Sequence, residues 1–118
     1  MAALIPALSH AAQTLYSASV RSGFGAAPNS VAGSLYRIDA STNGIKLVGP
    51  IRVDGSVPIG VTGLADHPST GAVYGITAES SPNHPNSLVT IDTDSGSARI
   101  VGDLRAVGTD IAFGPRGN

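Results

Sequence analysis

The 118-residue chain repeats itself, and this limits its folds more than any other feature. SLYRIDASTNGIKLVG (residues 34–49) aligns without gaps on SLVTIDTDSGSARIVG (residues 87–102). Identities fall at Ser34/Ser87, Leu35/Leu88, Ile38/Ile91, Asp39/Asp92, Val48/Val101 and Gly49/Gly102, while Lys46/Arg99 and Leu47/Ile100 are conservative. Asn43 stands where the second copy has Gly96. Asn and Gly best tolerate the left-handed backbone that a tight strand-to-strand turn requires. Two shorter matches extend the repeat: TGLADHP (62–68) on TDIAFGP (109–115), and VYGITA (73–78) on LYSASV (15–20).

These segments define four strand types, each short and bounded by Gly, Pro, Asn or Asp. Along the chain they run second, third, fourth, first, second, third, fourth, first, which makes eight strands in two four-strand units that are out of phase with the chain. A terminal strand is therefore expected at residues 109–115, and the strand at 15–20 lacks a first-type neighbour. No segment reads as a capped helix, a short turn within residues 2–12 aside. A period of about 50 residues with four short strands per unit is the signature of a β-propeller blade.

The patterns LYRIDASTNGIKLVG, LVTIDTDSGSARIVG and VTGLADHPSTGAVYGITA resemble the blades of secreted bacterial β-propellers, whose repeats carry leucine, tyrosine, isoleucine and aspartate followed by threonine-glycine. The resemblance covers residues 13–118. Val89 departs from it where tyrosine is expected, and Asn43 where glycine is. It implies an all-β architecture of two permuted four-stranded blades per chain and says almost nothing about activity.

A propeller closes with about four to eight blades, each sandwiched between neighbours. Two blades leave two apolar faces uncovered and strand edges open to pairing. The expected solution is a homo-oligomer, a trimer or tetramer closing a six- or eight-bladed ring, in which the C-terminal strand of each copy completes the N-terminal blade of the next. The alternatives are a fragment that completes a larger propeller and a self-contained two-sheet sandwich.

Composition agrees with covered faces. Charged residues make up 13% of the chain, against about 25% in ordinary soluble domains. Seven Lys plus Arg against eight Asp plus Glu leave a net charge of -1, and the cations are scattered singly, so neither nucleic acid nor a membrane surface is an expected partner. Zero cysteines exclude disulfide scaffolds, thiol catalysis and thiolate metal sites. The start, MAALIPALSHAAQ, resembles either a secretory-signal remnant or a short apolar arm; residues 1–12 are set aside on that basis, and a secreted or periplasmic location is expected. The remaining partners are neutral: a small molecule, a glycan or the protein itself.

Strand parity places three long connections, residues 21–33, 52–60 and 79–86, at one end of the units. Function on a rigid scaffold concentrates in such loops. Arg21, Phe24, Asn29, Arg52, Asp54, Glu79, Asn83, His84 and Asn86 form the candidate binding rim. Asp39 and Asp92 occupy equivalent places directly before turns, where an Asp side chain accepts backbone N–H groups, so they read as structural rather than as a catalytic pair. DTDSG (92–96) lacks the later acidic ligand and glycine spacing of a calcium loop. His10, His67 and His84 share no short metal-ligand spacing. No nucleophile elbow or phosphate-binding loop is present. The expectation is a non-catalytic extracellular binding or scaffolding module without a cofactor or metal. The runner-up is a metal-assisted hydrolase or lactonase with Glu79, the single glutamate, near the propeller axis.

Overall fold

A computed structural model describes residues 14–19 and 33–114 of the chain, and among them it is all-β, with no helix. Nine strands form two sheets. The first holds β1 (Thr14–Ala18), β2 (Ser34–Asp39) and β3 (Gly44–Pro50), antiparallel and in that order. The second holds β4 (Arg52–Val53), β5 (Val57–Pro58), β6 (Val61–Asp66), β7 (Val73–Thr77), β8 (Ser87–Ile91) and β9 (Ser97–Asp103), with spatial order β5-β4-β9-β8-β7-β6.

The sequence repeat becomes a register repeat. β2–β3 and β8–β9 are both antiparallel hairpins, and each carries one irregularity at equivalent places, between Leu35 and Tyr36 and between Leu88 and Val89. Leu35 faces Gly49 and Tyr36 faces Leu47 across the first; Leu88 faces Gly102 and Val89 faces Ile100 across the second. A bulge absorbs one extra residue and increases local twist, so the two hairpins bend at the same point.

Turn chemistry explains why the hairpins close. Asp39 Oδ1 accepts the Ser41 N–H at 2.9 Å and the Ser41 hydroxyl at 2.6 Å. Asp92 Oδ1 accepts the N–H groups of Asp94 and Ser95 at 2.8 and 3.3 Å. Asn43 (φ 57°) and Gly96 (φ 81°) then take the left-handed conformation. The structural reading of both aspartates follows directly. In the β6–β7 turn, His67 Nδ1 plays the aspartate's part, accepting the Ser69 and Thr70 N–H groups at 3.1 and 3.3 Å.

The core lies between the sheets. Leu35 of β2 clusters with Ile51, Val53, Ile59, Val61, Val89, Ile91 and Ala98, and Tyr16, Ala18, Val48, Val57 and Leu64 pack at its fringe. Burying each such aliphatic side chain contributes about 1.5–3 kcal/mol. Gly75 of β7 admits this packing: a Cβ there would stand 3.0 Å from Val61 and 3.1 Å from Ile91.

Two segments differ from the sequence expectation. The connection 52–60 is not wholly a loop; β4 and β5 form a small hairpin, and β4 runs parallel to β9, with Arg52 opposite Ser97 and Val53 opposite Ala98. The strand expected at 109–115 is not formed within its described part, residues 109–114. That segment needs a β7-like strand to pair with; β7 is already flanked by β6 and β8, and the segment does not pair along the open edge of β1. It packs instead over the sheet. A Cβ on Gly63 would stand 2.9 Å from Asp110 Cα, the Thr62 hydroxyl reaches the Gly108 carbonyl at 3.4 Å, and the Phe113 ring meets Tyr74 and His67 edge-on at 5.1 and 4.9 Å.

Candidate functional site

Connections 52–60 and 79–86 meet at one end, where Gly33 also enters, and backbone bonds hold them there. Gly33, where the 21–33 connection enters the first sheet, donates its N–H to Ile59 at 2.9 Å and accepts the Ile51 N–H at 2.8 Å. Ala78 donates to the Gly60 carbonyl at 2.8 Å, and the Gly60 N–H donates to Ser81 Oγ at 3.0 Å. Connections 52–60 and 79–86 are thus stitched together by buried polar groups. Such bonds are retained because an unpaired buried donor is costly, about 1–3 kcal/mol.

Within this rim the residues differ in availability. Arg52 and Asp54 are exposed on β4 and its turn; Asp54 holds φ 52° and its N–H donates to the Ala98 carbonyl at 2.9 Å. Glu79 and His84 are exposed. Asn83 is half-buried, and its Nδ2 donates to the Pro58 carbonyl at 2.9 Å while its own carbonyl accepts the Ser81 hydroxyl at 2.6 Å. Asn83 therefore braces the loop, and its amide donor is committed. Asn86 has φ 55°, its carbonyl accepts the Leu104 N–H at 2.9 Å, and its Oδ1 is shielded with no hydrogen-bond partner among the described residues. Arg21, Phe24 and Asn29 lie outside the described residues.

Sequence reading overlooked the hydroxyls that shape this end. Thr77 is fully buried; its Oγ1 accepts the Ser87 N–H at 2.8 Å and donates to the His84 carbonyl, which fixes the ends of the 79–86 connection. Ser81 does the same for Gly60 and Asn83. Their signal was weak: Thr77 reads as an ordinary last residue of a strand, and Ser81 beside Pro82 as ordinary loop composition. Among the described residues, no group of three or more histidine or acidic side chains converges as metal ligands would. Asp39 has its carboxyl held below the ordinary 3.8, first by the Ser41 hydroxyl and then by the Ser41 N–H, which is turn chemistry rather than catalytic tuning.

A second surface is more distinctive. On the first sheet, Leu15, Tyr36, Ile38, Ile45 and Leu47 share one face through the pairs Leu15/Ile38, Tyr36/Leu47 and Ile38/Ile45. The repeat maps them onto Val73, Val89, Ile91, Ala98 and Ile100 of the second sheet. Val73, Val89, Ile91 and Ala98 are buried, whereas Ile100 is exposed as Leu47 is; Leu15 is 52% exposed against 3% for Val73, and Ile45 71% against 0% for Ala98. The opposite faces invert the relation at Leu35 and Val48 but not at Ala18, which is half-buried while its counterpart Ile76 is buried. Leu35 is fully buried between the sheets, while its counterpart Leu88 is only half-buried; Val48 is half-buried and its counterpart Val101 exposed.

The chain matches no protein-family model and no curated protein, so the reading of its function rests on its own residues.

Proposed function

We propose that the chain is a two-blade propeller unit that assembles with copies of itself into a closed ring of six or eight blades, and that the ring serves as a non-catalytic extracellular binding or scaffolding module. One observation carries this reading: on the first sheet, Leu15 and Ile45 lie open to solvent where their repeat counterparts Val73 and Ala98 are buried inside the chain. A self-contained sandwich would bury one face of each sheet and make the other polar. Here the outward face of the first sheet is aliphatic, with Leu15, Ile45 and Leu47 exposed. The equivalent bulges in β2–β3 and β8–β9 support a common module geometry of the kind that propeller symmetry needs.

The rim built from connections 52–60 and 79–86 is the ligand face of this reading, with Arg52, Asp54, Glu79 and His84 as its free side chains. A neutral small molecule or glycan fits its mixed charge. Residues 109–113, which match the β6 sequence, would complete the neighbouring copy's first sheet along β1. Light scattering tests the assembly, with an expected mass of about three or four protomers. A folded monomer at micromolar concentration overturns it.

A further inference from the structure

The open face of the first sheet has a defined complement, and the protein itself displays it. Inside the chain, one kind of face, that of Val73, Val89, Ile91 and Ala98 on the second sheet, packs against another kind, that of Tyr16, Ala18, Leu35 and Val48 on the first. The first kind recurs as Leu15, Ile45 and Leu47, all exposed, around the half-buried Ile38. The second kind recurs on the outer side of the second sheet as Tyr74, Ile76, Leu88 and Val101, of which Val101 is exposed, Tyr74 and Leu88 are half-buried and Ile76 is buried. The chain therefore carries one mated pair of these faces and one separated pair.

We infer that the Leu15–Ile38–Ile45–Leu47 face is a head-to-tail docking surface for a second copy of this chain, which presents the Tyr74–Leu88–Val101 side of its six-stranded sheet. This rests on the assembly reading above and adds to it which surfaces meet and in what sense. The contact is heterologous, because the two patches are different surfaces of the same molecule; such contacts propagate and close into rings when the rotation allows. Its chemistry matches the interface already formed within the chain: aliphatic side chains against aliphatic and tyrosine side chains, with the charged groups at the rim. Residues 104–113 lie over part of the donor face: a Cβ on Gly108 would stand 3.2 Å from Ile76, and Phe113 packs against Tyr74. Docking requires this segment to leave that position.

Ile45→Asp removes the acceptor face, and Val101→Asp removes the donor face. Both positions are exposed, so the fold is retained, which circular dichroism verifies; Leu47→Ser and Leu88→Ser are the second variants for each face. Each variant alone is expected to lose assembly, with the light-scattering mass falling about three- to fourfold to one protomer. Mixed in equal amounts, Ile45→Asp and Val101→Asp retain one intact contact between them and are expected to form a dimer that grows no further. A wild-type chain that is itself monomeric removes the assembly reading and this inference together. A wild-type multimer with either variant still at full mass overturns the inference alone, and Val101→Asp at full mass with Ile45→Asp monomeric indicates like-with-like pairing of the first sheets instead.

Discussion

The two hairpins β2–β3 and β8–β9 share a repeated sequence, a bulge at the same place and the same kind of aspartate-led turn, yet their equivalent residues meet opposite surroundings. Ala98 is sealed and Ile45 is open; Leu35 is sealed and Leu88 is half open. Local sequence sets the path of a hairpin, whereas burial depends on what lies across the sheet. The larger aliphatic side chain at position 45 is the more exposed of its pair, which is the reverse of what a solitary surface favours.

The contrast can be broken most forcefully in the core. Leu35→Ala is expected to destabilise the protein by about 3 kcal/mol, because Leu35 is fully buried between the sheets. Leu88→Ala, its counterpart, should cost about 1 kcal/mol or less in the dissociated protein, since much of that side chain is already in water. Urea denaturation of both variants measures the gap, and equal losses would mean that the two faces are equally covered.

Next comes the pair of turn residues. Asn43 and Gly96 both hold positive φ, but they are not interchangeable. A Cβ on Gly96 would stand 2.6 Å from the Pro50 carbonyl oxygen at the end of β3, whereas Asn43 is exposed. Gly96→Ala is expected to cost about 2 kcal/mol, from left-handed strain and the backbone clash together. Asn43→Gly should shift stability by a few tenths of a kcal/mol. Thermal melts of the two variants test this, and a similar small shift in both would show that the Pro50 contact carries no constraint.

The smallest effect concerns acid. The Asp39 carboxyl is held below its ordinary 3.8 by the Ser41 hydroxyl and N–H. A carboxylate whose folded value is depressed contributes stability above its unfolded value and loses it as pH falls through the folded one. Asp39→Asn should therefore be slightly less stable than the wild type at pH 7, and the difference should shrink as pH falls below the ordinary 3.8 and through the lower folded value. Denaturation midpoints across that range decide it; a difference that persists or grows in acid would contradict the assignment.

Much of the all-β architecture was legible because the repeat marks strand positions and the turn residues carry their own mechanism: Asp39, Asn43, Asp92 and Gly96 act in the structure as their chemistry implies. The second reason for Gly96 was hidden, since Pro50 lies 46 positions away in the chain and the contact arises only when the sheets pack. The β4–β5 hairpin was hidden for a related reason. Arg52 and Val53 make a strand only because β9 offers an edge beside them. The C-terminal segment was read by likeness to β6, but a strand is a relation between two segments: β7 is already paired on both sides, and residues 109–113 lie over the second sheet instead of along the open edge of β1. Of the rim, the convergence of connections followed from strand parity, while the division into free side chains and braces depended on single hydroxyls at Thr77 and Ser81.

The parallel pairing of β4 with β9 has a mechanical consequence. The peptide that leaves the first module does not dangle between the two; it is zipped along the last strand of the second, so pulling the modules apart means unzipping a sheet as well as parting side chains. Heating should accordingly melt both halves in one cooperative step, and tension passed from copy to copy around a ring would load hydrogen-bonded backbone rather than slack linker.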